Sequence, residues 1–284
     1  MTLGIYDSGL GGVTVLRQLR DRLPHTDLLY FADQRHVPYG DRSDTELRGL
    51  LETNLCYLRD AGADAVVMGC NTSCAIAARY GWPAINVPVF DLIEAAAVAV
   101  ARTSASRIGI LATTATTRSG AYGAAIRARC PDAVVAEVAA PALVPLVESG
   151  NTAGPIAVAA VEAACAPLRG HIDVLVLACT HFPLLDDAFS TVLGEGVVRI
   201  DPAIVQAERA AAWVRERARP NGRTPRETRN VRFITSGALV PFKRRLAELG
   251  LDEAENAEEQ QHGEAAERHA GDHLSGGVRL EVHP

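Results

Sequence analysis

The segments Val66-Val67-Met68-Gly69-Cys70-Asn71-Thr72 and Leu175-Val176-Leu177-Ala178-Cys179-Thr180-His181 decide the reading of this chain. Each is a short apolar run that ends at a cysteine and then turns polar. They are offset by 109 residues, and Leu3-Gly4-Ile5-Tyr6 is echoed by Ile108-Gly109-Ile110-Leu111 at the similar offset of 105. Two like offsets for two like pairs point to two related halves. Apolar runs of this length suit strands covered on both faces. They recur at Leu3–Tyr6, Leu28–Ala32, Ala65–Gly69, Ala84–Val87, Arg107–Ala112, Val134–Val138, Val174–Ala178 and Val197–Ile200. Helical patterns lie between them, at Gly12–Leu23, Ser43–Ala61, Asp91–Ser104, Gly120–Cys130, Gly154–Arg169 and Pro202–Ala218. The Gly/Pro/Arg cluster Arg219–Arg226 reads as a loop, followed by a strand at Val231–Thr235 and a helix at Val240–Leu249. Strand and helix in alternation predict parallel sheets with right-handed crossovers. The expected fold is α/β: two pseudo-symmetric domains with mostly parallel sheets and the active site in the cleft between them.

Composition narrows the function. The chain has 284 residues, 48% of them hydrophobic and 22% charged, with 28 basic against 34 acidic side chains and a formal charge of −6. Those are globular proportions. From Asp252 to Pro284 there are nine acidic and two basic residues, so the rest of the chain is close to neutral. No basic stripe with interleaved aromatics marks a nucleic-acid surface. There is no uncharged apolar run long enough to span a membrane, and no basic segment leading into an apolar one at the start. A cytoplasmic chain with reduced thiols is expected, without a membrane or nucleic-acid partner. Four of the eight histidines fall after Leu251, in a tract rich in Glu, Ala and Gln. Metal binding there is one reading; a solvated, disordered tail over 251–284 is the expected one, since so little apolar surface cannot offset ordering entropy.

Six cysteines stand at 56, 70, 74, 130, 165 and 179. None forms a CxxC pair, and the spacing of Cys70 and Cys74 lacks the second half of a zinc site, so no metal is expected. A free cysteine is commonly an inert buried residue, which is the preferred reading for Cys56, Cys74, Cys130 and Cys165. Cys70 and Cys179 differ because each follows directly on a strand, and open α/β sheets bind ligands beyond the carboxyl ends of their strands. Two related halves would set these thiols on opposite walls of one cleft. Inverting a stereocentre needs a base on one face and an acid on the other, and the reverse reaction exchanges the roles. A thiol suits both, with a reference pKa of about 8.5 that a cation, a helix N-terminus or converging N–H groups can lower. Backbone N–H groups near Cys70–Thr72 and Cys179–His181 could hold substrate carboxylates and stabilise the carbanion without a cofactor. The Asp7-Ser8-Gly9 turn leading to Gly11-Gly12 allows close backbone approach. It matches neither GxGxxG nor a P-loop. Asp7 could serve the site or cap a helix. His181 could relay a proton or cap a helix, and Glu148 alone reads as a loop charge.

These residues resemble those of the glutamate racemases, a cofactor-independent group within the aspartate/glutamate racemase superfamily. The resemblance rests on Gly4-Ile5-Tyr6-Asp7-Ser8-Gly9-Leu10-Gly11-Gly12, Val37-Pro38-Tyr39-Gly40, Cys70-Asn71-Thr72, Pro145-Leu146-Val147-Glu148-Ser149-Gly150 and Cys179-Thr180-His181-Phe182-Pro183-Leu184-Leu185, in that order. It runs from about residue 3 to about residue 250. It implies domains formed by 1–90 with 203–250 and by 91–202. It implies Cys70 facing the α-proton of D-glutamate and Cys179 that of L-glutamate, with Asp7, His181 and Glu148 assisting. Asp7, Ser8, Tyr39, Gly40, Asn71, Thr72, Thr180 and His181 would bind substrate, joined by Thr117 from the Thr113–Thr117 segment. It further implies no cofactor, a homodimer, and D-glutamate supplied to peptidoglycan and hence to cell-wall biogenesis and cell shape. Departures from the family pattern fall at Phe31-Ala32-Asp33-Gln34, Ser73-Cys74, Ile93-Glu94-Ala95 and Thr235-Ser236-Gly237; none removes a proposed proton carrier. The alternatives are a racemase of aspartate or another small amino acid, and a non-catalytic binding or regulatory relative. Cys-Thr-His at 179–181 favours glutamate, because aspartate-specific relatives resemble Cys-Thr-Glu there. Retention of both cysteines and Asp7 argues against loss of catalysis. A thiol hydrolase would need one activated cysteine and has no use for a duplicated one.

Overall fold

A computed structural model describes residues 1–217, 230–251 and 257–260 of the chain. The strands are β1 (Thr2–Asp7), β2 (Asp27–Ala32), β3 (Ala65–Met68), β4 (Val89–Phe90), β5 (Arg107–Ala112), β6 (Val134–Ala139), β7 (Val174–Ala178), β8 (Val198–Ile200), β9 (Val231–Thr235) and β10 (Ala257–Glu259). The helices are α1 (Val13–Arg22), α2 (Asp44–Asp60), α3 (Asn71–Tyr80), α4 (Leu92–Ala101), α5 (Thr114–Ser119), α6 (Ala121–Arg129), α7 (Leu143–Glu148), α8 (Gly154–Cys165), α9 (Asp186–Leu193), α10 (Pro202–Arg217) and α11 (Leu239–Glu248). Strands pair in two parallel sheets, of order β10-β9-β2-β1-β3-β4 and β6-β5-β7-β8. The predicted mixed α/β class with parallel sheets is the fold observed.

Local chemistry explains the elements. β3 reads Ala-Val-Val-Met and β7 Val-Leu-Val-Leu-Ala, and every residue of both is buried, as strands covered on two faces require. α2 starts at a capping box: Ser43 Oγ accepts from the Glu46 N–H, and the Glu46 carboxylate accepts from the Ser43 N–H at 3.1 Å. α10 packs against α1 and α4 and touches strands of both sheets. Its buried Gln206 donates from Nε2 to the carbonyls of Met68 at 2.8 Å and Phe90 at 2.7 Å, tying the ends of β3 and β4 to the helix.

Three expectations are corrected. The apolar run Ala84–Val87 is not a strand; the chain pairs at Val89–Phe90 instead. Pro83 and Pro88 bracket the run, and Asn86 takes a left-handed φ of 56° that breaks extended structure. Ala257–Glu259, assigned by composition to the tail, adds to the sheet as an edge strand beside β9. The helix beginning at Gly154 ends at Cys165 rather than Arg169. The expected loop at 219–226 and the remainder of the acidic tail lie outside the described residues. Three helices carried too short a pattern to be read: α5, α7 and α9. Among the described residues no helix is long and apolar enough to cross a membrane.

One close approach sets the geometry of the strand ends. A Cβ on Gly69 would lie 3.0 Å from both Gly12 Cα and Tyr6 O, and 3.1 Å from Asp7 Cβ. Only glycine lets β3 finish so near the turn that follows β1. We expect Gly69→Ala to lower folding stability by about 1–3 kcal/mol through overpacking against backbone, measured as a fall in Tm and in the denaturant midpoint.

Candidate active site

The site gathers where β1, β3 and β7 end. Asp7 is the last residue of β1, Cys70 follows β3 and occupies the N-cap of α3, and Cys179 follows β7. All three are buried. Direct bonds join the two sheets here. Thr180 Oγ1 donates to Gly69 O at 2.6 Å, Thr14 Oγ1 donates to Thr180 O at 3.2 Å, and the Thr72 and Thr113 hydroxyls meet at 3.0 Å. Tyr122 donates its hydroxyl to the side-chain oxygen of Asn71. A cavity of about 90 Å³ lies between these strand ends. Asp7, Ser8, Tyr39, Gly40, Cys70, Asn71, Thr72, Cys179, Thr180 and His181 all line it. The two sulfurs therefore share one chamber.

Asp7 holds the glycine-rich turn. Its Oδ2 accepts from the N–H groups of Gly9 at 3.1 Å and Gly12 at 2.8 Å, and from Tyr30 at 3.3 Å. The capping role and the site role thus coexist in one side chain. Oδ1 is buried without a hydrogen-bond partner. Burial raises the carboxyl pKa, against the pull of His181 and the two N–H groups.

The thiols sit in unlike fields. Burial, reinforced by the charge of Asp7, pushes the Cys70 thiol up to about 11, although hydrogen bonds from Ser73 and Ser8 oppose the rise. The expected lowering at a helix N-terminus is outweighed at this residue. Cys179 instead faces an imidazole, with 3.7 Å from Sγ to His181 Nδ1. His181 Nε2 in turn lies 2.6 Å from Glu148 Oε1. Burial disfavours the imidazolium, yet hydrogen bonds and charge from Cys179 and Glu148 overcome it and hold the His181 pKa well above its ordinary value. Glu148 is partly buried; the same contact keeps its carboxyl below the usual range despite desolvation. Thiol, imidazole and carboxylate form one relay. Gly11 makes room for it, since a Cβ there would meet His181 Nδ1 at 2.5 Å and Thr180 Oγ1 at 2.6 Å.

Two predicted site residues stand differently from the rest. Glu148 closes α7, pairs with His181 and also accepts from the Leu10 N–H of the glycine-rich turn at 3.4 Å; it is no loop charge. Thr117 is not among the lining residues, and Thr113 and Thr114, one turn earlier, form that wall. Val37, Pro38, Asp41, Pro141, Val144 and Pro145 complete the lining. The apolar members carried no chemical signal in the sequence beyond their place beside Tyr39 and Glu148. Among the described residues no group of three or more His, Cys, Asp and Glu side chains could hold a metal ion.

Comparison with known proteins gives the same direction. Residues 14–210 match the model of the Asp/Glu/hydantoin racemase family. The chain is 41% identical over 248 residues to a glutamate racemase of Desulforudis audaxviator, covering 85% of this chain and 91% of that one. It superposes on a Francisella tularensis glutamate racemase in complex with D-glutamate with a TM-score of 0.80 at 27% identity, over 92% of this chain and 96% of that one. The Escherichia coli glutamate racemase in complex with L-glutamate and the activator UDP-MurNAc-ala gives 0.70 at 25% identity, over 91% and 97%. Fold, cleft and similarity together define an amino-acid isomerase. The chain belongs to the Asp/Glu/hydantoin racemase family, where it lies among the glutamate racemases.

The relay makes a direct prediction. Removing the Glu148 charge leaves burial opposed chiefly by Cys179, so Glu148→Gln should lower the imidazole pKa. The His181 ring then loses its proton at a lower pH than in the wild type. NMR titration of the histidine ring signals reads the shift, and an unchanged titration would show that Glu148 does not hold the cation.

Proposed function

We propose that the protein interconverts L- and D-glutamate by transferring protons at Cα between two cysteines, without a cofactor. The observation that carries this is Cys70 and Cys179 lining one cavity from equivalent strand ends of the two sheets. In this reading the sheets are the cores of two lobes, residues 1–90 with 203–250 and residues 91–202, and substrate sits between them. The relatives that share most of the chain are named glutamate racemases, and solved ones hold either enantiomer. Cys179-Thr180-His181 also favours glutamate over aspartate.

The unlike surroundings of the thiols give the reaction a direction to start from. A protonated His181 offers a cation to a thiolate at Cys179, while Cys70 keeps its proton. With L-glutamate bound, Cys179 takes the α-proton and Cys70 delivers its own to the opposite face, leaving D-glutamate. Sulfur 70 is then the thiolate and sulfur 179 the thiol. The reverse reaction starts from that state. Abstracting a weakly acidic proton demands stabilisation of the carbanion, and the N–H groups of Asn71 and Thr72, which have no partner within the helix at its first turn, are the donors at hand. Asp7, with one carboxylate oxygen unpaired beside Cys70, suits the substrate ammonium or a share of the Cys70 proton. The product fits supply of D-glutamate to peptidoglycan, in a cytoplasmic enzyme acting as a homodimer.

Purified protein incubated with L-glutamate in deuterated water, without additives, should yield D-glutamate carrying deuterium at Cα. Cys70→Ser and Cys179→Ser should each lose at least about two orders of magnitude in racemisation, the scale of a missing general acid or base. Each variant should still exchange the α-proton of one enantiomer with solvent. Near wild-type racemisation in both would reject the two-thiol scheme.

A further inference from the structure

Behind Cys70 lies a second set of polar groups that the reaction as described leaves unused. Ser73 stands in the first turn of α3, three residues on from Cys70 at the N-cap, which sets its hydroxyl on the side of the helix end that carries the sulfur. The Ser73 hydroxyl donates to Tyr6 OH at 3.4 Å, Tyr6 donates to Tyr39 OH at 2.9 Å, and Tyr39 donates to Asp33 Oδ2 at 2.5 Å. Both Asp33 oxygens lie within 2.9 Å of His36 Nδ1. Ser73, Tyr6, Tyr39 and Asp33 are buried, while the side chain of His36 is 36% exposed. Oxygen follows oxygen from the sulfur to an imidazole at the surface. We propose that Ser73, Tyr6, Tyr39, Asp33 and His36 are the path by which Cys70 exchanges its proton with solvent between turnovers.

The inference rests on the two-thiol reading, which creates the need for such a path. After an L-to-D turnover Cys70 lacks a proton and Cys179 carries an extra one. The next L-glutamate cannot react until both are reset. On the Cys179 side, His181 passes a proton to Glu148, which borders a separate cavity of about 190 Å³. On the Cys70 side, the hydroxyls as bonded here hand a proton outward, and an inward proton requires Tyr39, Tyr6 and Ser73 first to turn their O–H bonds towards Cys70. His36 then gives its Nδ1 proton to Asp33, and in one concerted shift Asp33 protonates Tyr39 as Tyr39 protonates Tyr6, Tyr6 protonates Ser73, and Ser73 protonates the Cys70 thiolate. Asp33 returns to a carboxylate, the three hydroxyls are restored, and neutral His36 takes a proton from water. Run backwards, the same steps remove the proton before D-glutamate reacts. Bonds at Asp33 from Asn54 at 3.1 Å and Ser236 at 2.6 Å hold the carboxylate in place and fill its other acceptor sites.

A network that only braces the 33–40 segment would behave differently in kinetics. Resetting the free enzyme follows product release, so slowing it lowers kcat and KM together and leaves kcat/KM unchanged. Tyr6→Phe breaks the path in its middle and His36→Ala removes its outlet. Each is expected to lower kcat and KM together by about a hundredfold, the lower end of what a positioned proton-transfer group contributes, with kcat/KM as in the wild type. Added imidazole should restore kcat in His36→Ala, because it replaces the missing surface base. A fall in kcat/KM matching that in kcat, or wild-type kcat in His36→Ala, overturns the path. If Tyr6→Phe does not fold, His36→Ala and its response to imidazole decide alone. Cys70→Ser run in parallel separates the two ideas. If it is inactive while His36→Ala has wild-type kcat, the path is wrong and the two-thiol scheme stands. If Cys70→Ser itself racemises normally, the scheme has failed.

Discussion

The hydroxyl of Thr180 donates to the carbonyl of Gly69, and this single bond joins the residue before Cys70 to the residue after Cys179. Everything else at the site depends on that contact. It requires the ends of β3 and β7 to meet head to head, which in turn requires the turn after β1 to lie flat between them. Gly69 and Gly11 permit it, since a methyl group at either would occupy space already held by Gly12, Tyr6, Thr180 or His181. Thr14 adds a second tie from the start of α1. The result is a small chamber with a sulfur contributed by each sheet.

Within that chamber the chain builds pseudo-symmetry in position but not in electrostatics. Cys70 lies at a helix N-terminus, an environment that ordinarily lowers a thiol pKa. The nearby Asp7 carboxylate and complete burial outweigh it, and the thiol is pushed up to about 11. Cys179 has no counterpart to Asp7 at its own strand end; it has His181, backed by Glu148. Two equivalent strand ends thus set one sulfur beside a carboxylate and the other beside an imidazole. In the proposed reaction, whose substrate and product are mirror images, this inequality is what distinguishes the two walls.

Much of this is legible in the amino-acid sequence. Strand and helix alternation came through because strands buried on both faces are uninterrupted apolar runs, and the Cys70 and Cys179 segments repeat that pattern with the same chemistry at the end. The run Ala84–Val87 misled for the same reason: it is apolar, but flanking prolines and the left-handed Asn86 deny it a partner. α5 and α7 went unseen because Thr-Ala-Thr-Thr-Arg-Ser and Leu-Val-Pro-Leu-Val-Glu carry no helical periodicity. Ala257–Glu259 looked like solvated tail because an edge strand of three residues needs backbone pairing rather than apolar side chains.

The amino-acid sequence alone determined the α/β class, the duplicated cysteine-bearing strand ends and the group of polar residues beside them, because hydrophobic period and residue chemistry are local properties of a chain. The tertiary structure alone decided that Glu148 bonds His181 beside Cys179, that Thr113 and Thr114 rather than Thr117 face the chamber, and that Asp33 lies at the end of a hydroxyl chain from Ser73. These are contacts between residues tens of positions apart. They depend on where separate elements come to rest against one another, and on burial that reverses the charge preferences each side chain has in water.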